Sequence, residues 1–196
     1  MTNWFSSAGD NLPTSEGERA LIAALDGKLG ELRPPQLAPG DVVLTGEGRD
    51  VFIVILPHKA LAGLSIFIWM GSGGIEISWA TITSLHSHDD LDLGQTAAKF
   101  PLTTQGSVIM DALQVELWAP IEVEGVRHSP SDTPRLSFYR DIGDKRRHVG
   151  SIGPRSLRNL WHQGERFSFI TSFMDPRDPP VVIAPTVDGW YPRANI

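Results

Sequence analysis

The sequence of 196 residues contains no cysteine. A chain without thiols has no disulfide scaffold, no thiolate zinc site, no iron–sulfur cluster and no cysteine nucleophile. The disulfide-stabilised small proteins and the cysteine-dependent enzymes are therefore excluded from the classes of protein to which this chain can belong.

The chain also lacks a long hydrophobic run and a positively charged start. Its longest uncharged stretch, residues 60–75, has 16 residues and includes two serines and four glycines. A membrane-spanning helix needs about 20 consecutive apolar residues. A secretory signal begins with basic residues, whereas the first basic residue here is Arg19. We therefore expect a soluble, cytoplasmic protein with no membrane partner.

Basic residues are outnumbered, with 17 Lys and Arg against 23 Asp and Glu and a net charge of −6. This balance argues against nucleic acid as a partner. The hydrophobic fraction of 41%, with six Trp and eight Phe, is sufficient for a folded core. The length suits a single domain, which we place at residues 14–196 after an N-terminal arm at residues 1–13.

The charges are distributed unevenly along the chain. Residues 1–126 contain six basic and 16 acidic residues, a net charge of −10. Residues 127–166 contain nine basic and four acidic residues, a net charge of +5. One interpretation is that these charges lie on solvated faces and pair with one another. The alternatives are a basic patch for a phosphate or an acidic partner surface, and an acidic segment that faces a basic partner.

The clearest local pattern predicts a helix over residues 15–32. Ser15 and Glu18 form a capping box, which satisfies the free N–H groups at a helix start. Leucines then recur at spacings of four, four and three, on one face of the helix: Leu21, Leu25, Leu29 and Leu32. The helix must end before Pro34 and Pro35.

Three hairpins are predicted by period-two patterns on both sides of turn sequences. They pair residues 42–45 with 51–56, residues 64–70 with 75–83, and residues 136–140 with 147–152. Residues 64–70 are apolar on both faces, which is typical of a central strand covered on both sides. In the next strand Trp79 belongs to the apolar face, whereas Glu76 and Ser78 are expected on a solvated face.

The remaining elements follow from weaker patterns. Residues 106–118 fit a helix that ends before Pro120, although Val115 and Leu117 also suit a strand. Further elements are expected as a loop at 86–106, a short helix at 156–163, and strands at 167–173 and 181–184. Strands dominate, so the fold class is α+β with a mostly antiparallel sheet, an N-terminal amphipathic helix and one or two further short helices. An open sheet edge can pair with a second copy, which would give a homodimer.

One segment is dense in metal-ligating side chains: His86, His88, Asp89, Asp90 and Asp92 lie within seven residues. In an extended segment His86 and His88 point to the same face. With Asp90 they would supply three ligands for a divalent metal and leave a position for a reactive water. This is the basis of an alternative hypothesis, a metal-dependent hydrolase, although neither His-x-His-x-Asp-His nor His-Glu-x-x-His is present.

The same segment is also typical of an exposed turn or of a loop that contacts another protein. We call Asp89, Asp90 and Asp92 the acidic loop, and expect it to bind a basic partner because its close carboxylates repel one another. Arg140 and Arg146, in the basic segment, are the second candidates for a partner-binding surface.

No other motif indicates an enzyme or a cofactor. Gly-x-Ser-x-Gly is absent, and the glycine-rich segments read as hairpin turns rather than phosphate loops. A small, acidic, cysteine-free α+β domain has the general character of bacterial immunity proteins, which neutralise a toxin domain by binding it; no motif carries this likeness, and it serves as a hypothesis. The sequence therefore favours a non-enzymatic protein-binding protein that carries no cofactor, and the hypothesis for its partner is a basic toxin domain.

Overall fold

The computed structural model describes residues 4–5, 15–47, 51–61, 63–82, 91–92, 95–127, 129, 133–142, 144–152 and 164–181. Within them the chain is α+β with an N-terminal helix and a second helix, as the sequence predicts, and its strands form two antiparallel sheets. The elements, in chain order, are α1 (Glu16–Leu32), β1 (Val43–Glu47), β2 (Val51–Pro57), β3 (Leu64–Gly71), β4 (Gly74–Ile82), β5 (Leu91–Asp92), β6 (Thr96–Phe100), α2 (Gly106–Trp118), β7 (Ile121–Arg127), β8 (Arg135–Ile142), β9 (Lys145–Ile152) and β10 (Glu165–Thr171).

The start of α1 is the predicted capping box. The Glu18 backbone N–H donates to Ser15 Oγ at 3.1 Å, and the Ser15 N–H donates to Glu18 Oε2 at 3.1 Å. The helix ends at Arg33, which adopts a left-handed conformation with φ of 46°. Its core-facing side chains are the predicted ones: Leu21, Leu25 and Leu29 are buried, and Leu32 is partly buried.

The first sheet has the order β1-β2-β3-β4, with β5 and β6 both paired to the free edge of β4. Its two hairpins are the first two that the sequence predicts. The central strand β3 is buried over its first five residues, so it is covered on both faces. One face belongs to the main core, and a smaller apolar cluster on the other contains Ile53, Ile55, Phe67 and Ala80.

The prediction of a solvated face on β4 is wrong at Ser78. Ser78 is 5% exposed and accepts a hydrogen bond of 3.0 Å from Trp69 Nε1. Glu76 is half-buried beside β6, where it accepts a hydrogen bond from Thr96 Oγ1 and pairs with Lys99 Nζ at 2.9 Å. The paired strand and the second apolar cluster therefore cover a face that alternation alone assigns to water.

Two strands interrupt the segment predicted as a loop at residues 86–106. β5 and β6 follow one another along β4, and the register with β6 shifts between Ile77 and Ser78. The small and polar residues of β6 have little strand propensity of their own. Pairing with β4 therefore determines their conformation, and the loop prediction is wrong at these two places.

The second sheet has the order β10-β7-β8-β9. The predicted third hairpin is β8 and β9, whose strands extend to Ile142 and from Lys145, so the turn is shorter than predicted. β7 was not predicted. β10 ends at Thr171 instead of continuing to residue 173, and Val181 lies in a bend outside any strand. Gly125 of β7 leaves room for the Phe167 ring of β10, which a Cβ at that position would overlap.

The predicted helix over residues 106–118 is α2, so the strand alternative is excluded. Its buried side, with Ile109, Leu113 and Leu117, joins α1 and both sheets in one continuous core that includes Phe173. The sheets also touch directly, because the backbone of Gly150 in β9 lies against the Thr81 side chain of β4.

Several predictions concern residues outside the described ranges. They include the helix at 156–163, strand residues 182–184 and most of the arm at residues 1–13. Within that arm Trp4 is buried and its carbonyl accepts hydrogen bonds of 3.1 Å from the N–H groups of Gly40 and Val42.

Neither helix in the described part of the chain has the length and apolar content needed to cross a bilayer.

Candidate functional site

A buried polar cluster joins α2 to both sheets. Trp79 Nε1 of β4 donates to Glu116 Oε2 of α2 at 2.7 Å, and Arg140 Nη2 of β8 donates to Glu116 Oε1 at 2.9 Å. Arg140 Nη1 donates to Glu116 Oε2 as well, so the ion pair is bidentate. The side chains of Arg140 and Glu116 are only 10% and 8% exposed. The guanidinium lies over the Trp79 ring, 5.6 Å from its centre.

This cluster fixes three elements relative to one another. A buried carboxylate is tolerated only when its charge and hydrogen-bonding capacity are satisfied. Glu116 receives three donors from two side chains on different sheets. The C-terminal half of α2 is consequently held at a defined position beside β8.

An open cleft of about 690 Å³ lies at this end of α2. Its walls come from the helix, the segment that follows it and β8, and include Asp111, Val115, Trp118, Pro120, Arg140 and Asp141. The volume falls within the ~300–1,000 Å³ of typical ligand sites, although the cleft is open rather than enclosed. It is therefore better suited to a protruding group of another molecule than to a sequestered small molecule.

The outer side of α2 beside the cleft exposes apolar side chains together with Asp111. Val115 is 63% exposed and Trp118 is 56% exposed, and Val108 lies two turns before Val115 on the same side. Tryptophan is among the residues most enriched at binding hot spots, and adjacent exposed apolar side chains mark interaction sites. Trp118 thus differs from Trp4 and Trp79, which are buried.

The fixed charge at the rim of the cleft is acidic. The Arg140 charge is matched by Glu116, so it adds no net charge to the cleft wall. Asp111 is exposed and forms an ion pair with Lys28 Nζ at 3.8 Å, so its charge is matched as well. Asp141 is exposed and forms no ion pair with the residues that the structure describes. A cationic group is the complement of this rim.

The two arginines proposed as partner contacts lie on opposite faces of the second sheet. Arg140 faces the core, whereas Arg146 lies on the exposed face with its guanidinium 3.8 Å from the centre of the Tyr139 ring. Arg146 Nε donates to Glu122 Oε2 and its Nη2 to Glu124 Oε1, both at 2.8 Å. Each arginine thus pairs with carboxylates of the same chain, as the intramolecular interpretation of the charges expects.

The other predicted site residues are described only in part. His86, His88, Asp89 and Asp90 lie outside the described residues. Asp92 belongs to β5, where its backbone is opposite Thr81. The ranges that are described contain no group of three or more His, Asp or Glu side chains arranged to hold a metal ion. The acidic-loop and metal hypotheses accordingly stay predictions.

A hydrogen-bonded chain on the exposed face of the second sheet was missed by the sequence analysis. His148 Nε2 lies 2.9 Å from Ser151 Oγ, which lies 3.0 Å from Ser137 Oγ. The register shift between Phe138 and Tyr139 brings His148 and Ser151 to the same face, although they are three residues apart. No carboxylate of the described residues is hydrogen-bonded to this imidazole, so the chain is not a catalytic triad.

Trp118 and Val115 could have been identified from the sequence. On a helical wheel they fall on the side opposite Leu113 and Leu117, with Val108 beside them. An amphipathic helix that also has an apolar stripe on its outer side is a pattern of binding helices. The Glu116–Arg140 pair, by contrast, joins residues 24 positions apart in different elements, and no local pattern indicates it.

No family model, curated protein or solved structure matches the chain.

Proposed function

We propose that the chain is a non-enzymatic binding protein that holds a basic protein partner at the cleft beside α2. The observation that supports this most directly is the exposure of Trp118 next to Val115 at the mouth of that cleft. A solvated tryptophan and a neighbouring valine bring no benefit to the folded monomer, whereas a partner that covers them gains apolar burial.

The position of the surface is fixed before a partner arrives. The Glu116–Arg140–Trp79 cluster restrains α2 directly behind Trp118. A preformed surface loses little conformational entropy on association, so more of the contact energy contributes to affinity.

The chemistry of the partner follows from charge. The net charge of −6 and the exposed carboxylate of Asp141 at the rim favour a basic surface. In its more specific form the proposal is an immunity-type inhibitor, an antitoxin that neutralises a basic toxin domain. The acidic loop would then provide a second negatively charged contact with the basic partner.

The experiment compares quantitative capture of host proteins by four immobilised forms: wild type, Trp118→Ala, the double variant Asp111→Asn/Asp141→Asn, and the control Leu102→Ala. Leu102 is exposed and does not line the cleft, so its variant controls for the loss of any exposed apolar side chain. We expect a basic protein that wild type and the control retain and that Trp118→Ala loses.

Binding of that protein is then measured at low and at high salt. The double aspartate variant should associate more slowly at low salt and should resemble wild type at high salt, because rim charges act mainly on association rate. Equal capture by wild type and Trp118→Ala, or a captured partner that is acidic, contradicts the proposal. Stoichiometric zinc or manganese that is lost on His86→Ala and His88→Ala would favour the hydrolase hypothesis instead.

A further inference from the structure

The second sheet has an edge strand that is suited to pairing. β10 is paired with β7 over all seven of its residues, and no described residue pairs with its other edge. An edge of this length presents a row of free N–H and C=O groups, which proteins usually protect with charges, prolines or bulges. β10 contains no proline, and its pairing with β7 has no bulge.

The opposite edge of the same sheet is protected by charge. The first four residues of β9, Lys145 to His148, are all exposed and three of them are Lys or Arg. Charged side chains on an edge strand oppose its pairing with another strand, because pairing removes water from around them. In β10 the only charged residues are Glu165 and Arg166, at one end, so this strand has no comparable barrier.

The apolar side chains of β10 are incompletely covered. Phe167 and Phe169 are half-buried on the core side, with their rings parallel within 5° and 6.4 Å apart. Ile170, on the outer side, is 66% exposed, the highest exposure among the large hydrophobic residues of the described ranges. A strand laid beside β10 would shelter side chains on both of its faces.

We propose that two copies of the chain associate by antiparallel pairing of their β10 strands, centred on Ser168. In such a dimer the two copies of the second sheet join into one continuous sheet. The hydrophobic cores of both copies lie on the same side of it only if core-facing residues of one β10 are paired with core-facing residues of the other. Among such registers, the one centred on Ser168 uses all seven residues. It places Phe167 opposite Phe169 of the second copy, and Arg166 opposite Ile170.

Charge supports a second copy as the occupant. The pairing brings no like charges opposite each other, because Arg166 faces Ile170 and Glu165 faces Thr171. In the β10–β7 ladder Ile170 is opposite Glu122. The pairing therefore places Arg166 of one copy on the same face as Glu122 of the other, a carboxylate that already pairs with Arg146 of its own chain. Arg166 adds a second, longer-range attraction to it, which the two-fold axis repeats.

The absence of cysteine allows a direct test of the register. In a dimer centred on Ser168 the two Cα atoms of that residue are ~4.5–5.5 Å apart, within disulfide range. The two copies of Arg166 are separated by four residues along the strands, roughly 14 Å, which is too far. We expect Ser168→Cys to form a disulfide-linked dimer under mild oxidation and the matched variant Arg166→Cys to remain unlinked.

Sedimentation equilibrium gives the second measurement. Wild type should be dimeric at about 100 µM, and Ile170→Arg should weaken the dimer roughly tenfold because it places two arginines opposite each other at two positions. A wild-type monomer at this concentration overturns the proposal. So does a dimer in which Ser168→Cys links no faster than Arg166→Cys, or one that Ile170→Arg leaves unchanged.

Discussion

Protonation of His58 should destabilise the fold in mildly acidic solution. His58 follows β2, is buried, and its ring packs edge-on against Phe173 with the ring centres 5.1 Å apart. Its Nδ1 accepts hydrogen bonds from the backbone N–H groups of Ala60, at 3.3 Å, and Leu61, at 3.2 Å. An imidazolium has a proton on both nitrogens and would lose both of these acceptor bonds.

Burial lowers the pKa of His58 from 6.5 to about 4, and the nearby Ser172 backbone opposes this shift only in part. Between these two values the unfolded chain binds a proton that the folded chain excludes, so the free energy of unfolding falls as the pH falls. The contribution of the neutral His58 imidazole to the free energy of unfolding is complete above pH 6.5. About 2 kcal/mol is lost at pH 5, and roughly 3 kcal/mol below pH 4, because one pKa unit corresponds to 1.36 kcal/mol.

Urea unfolding of wild type and His58→Asn, at several pH values between about 7.5 and 5, measures this loss. Asparagine retains an oxygen that can accept the two backbone hydrogen bonds, but it does not titrate. The variant should be less stable at neutral pH because it lacks the ring that packs on Phe173. Its stability should nevertheless fall by about 2 kcal/mol less than that of wild type between these limits.

Leu25→Ala supplies the control, since it removes a buried side chain that carries no titratable group and should leave the pH dependence of wild type intact. The pH range of the urea experiment lies above the range in which ion-paired carboxylates lose their contribution to the free energy of unfolding. Arg177 lowers the pKa of Asp175 to about 2. The contribution of this carboxylate to stability is present above the ordinary pKa of an aspartate, and it is lost only as the pH falls below that ordinary pKa. Identical pH dependence in wild type and His58→Asn would refute the assignment of a buried neutral imidazole.

Three further outcomes are expected. Leu25→Ala removes a fully buried side chain of α1 and should lower the free energy of unfolding by about 2–5 kcal/mol in urea, whereas a loss near zero would mean that α1 is not packed on the core. Glu116→Leu should lower the free energy of unfolding by about 3–5 kcal/mol, because it leaves the Arg140 charge buried without its partner. Adding Arg140→Met should restore most of that loss, and additive costs in the double-mutant cycle would contradict the coupling of the two residues. Replacement of all three acidic-loop aspartates by Asn should preserve the thermal midpoint and slow association with the captured partner at low salt, and an unchanged association rate would exclude the loop as a contact.

The sequence alone was sufficient to predict those elements whose signals lie within a few consecutive residues. The capping box and the leucine spacing of α1, and the turns between β3 and β4 and between β8 and β9, act over a few residues. β7 also alternates, with Ile121 and Val123 inside and Glu122 and Glu124 outside, and a stricter count of periodicity would have found it. β6 differs in kind, because its conformation depends on pairing with β4.

The candidate site depended on contacts that the sequence does not encode locally. Arg140 was predicted as an exposed partner contact on the basis of its basic neighbours. It alternates with Leu136 and Phe138, however, and that spacing assigns it to the inner face of β8. The identity of its partner, Glu116, depends on how α2 packs between the sheets. The alternation could have predicted burial of Arg140, whereas the ion pair required the tertiary structure.

The pairing of charges within the fold determines which sign a partner encounters. Arg140 and Arg146 belong to the segment of net charge +5, and both are matched by carboxylates of the preceding segment of net charge −10. Arg146 alone contacts two of them, Glu122 and Glu124. These pairs reduce the basic segment's contribution to the field outside the molecule and leave the acidic excess, including Asp141 at the cleft, in contact with solvent. Basic partners should therefore associate faster as salt is lowered, although the most basic stretch of the sequence forms one wall of the site.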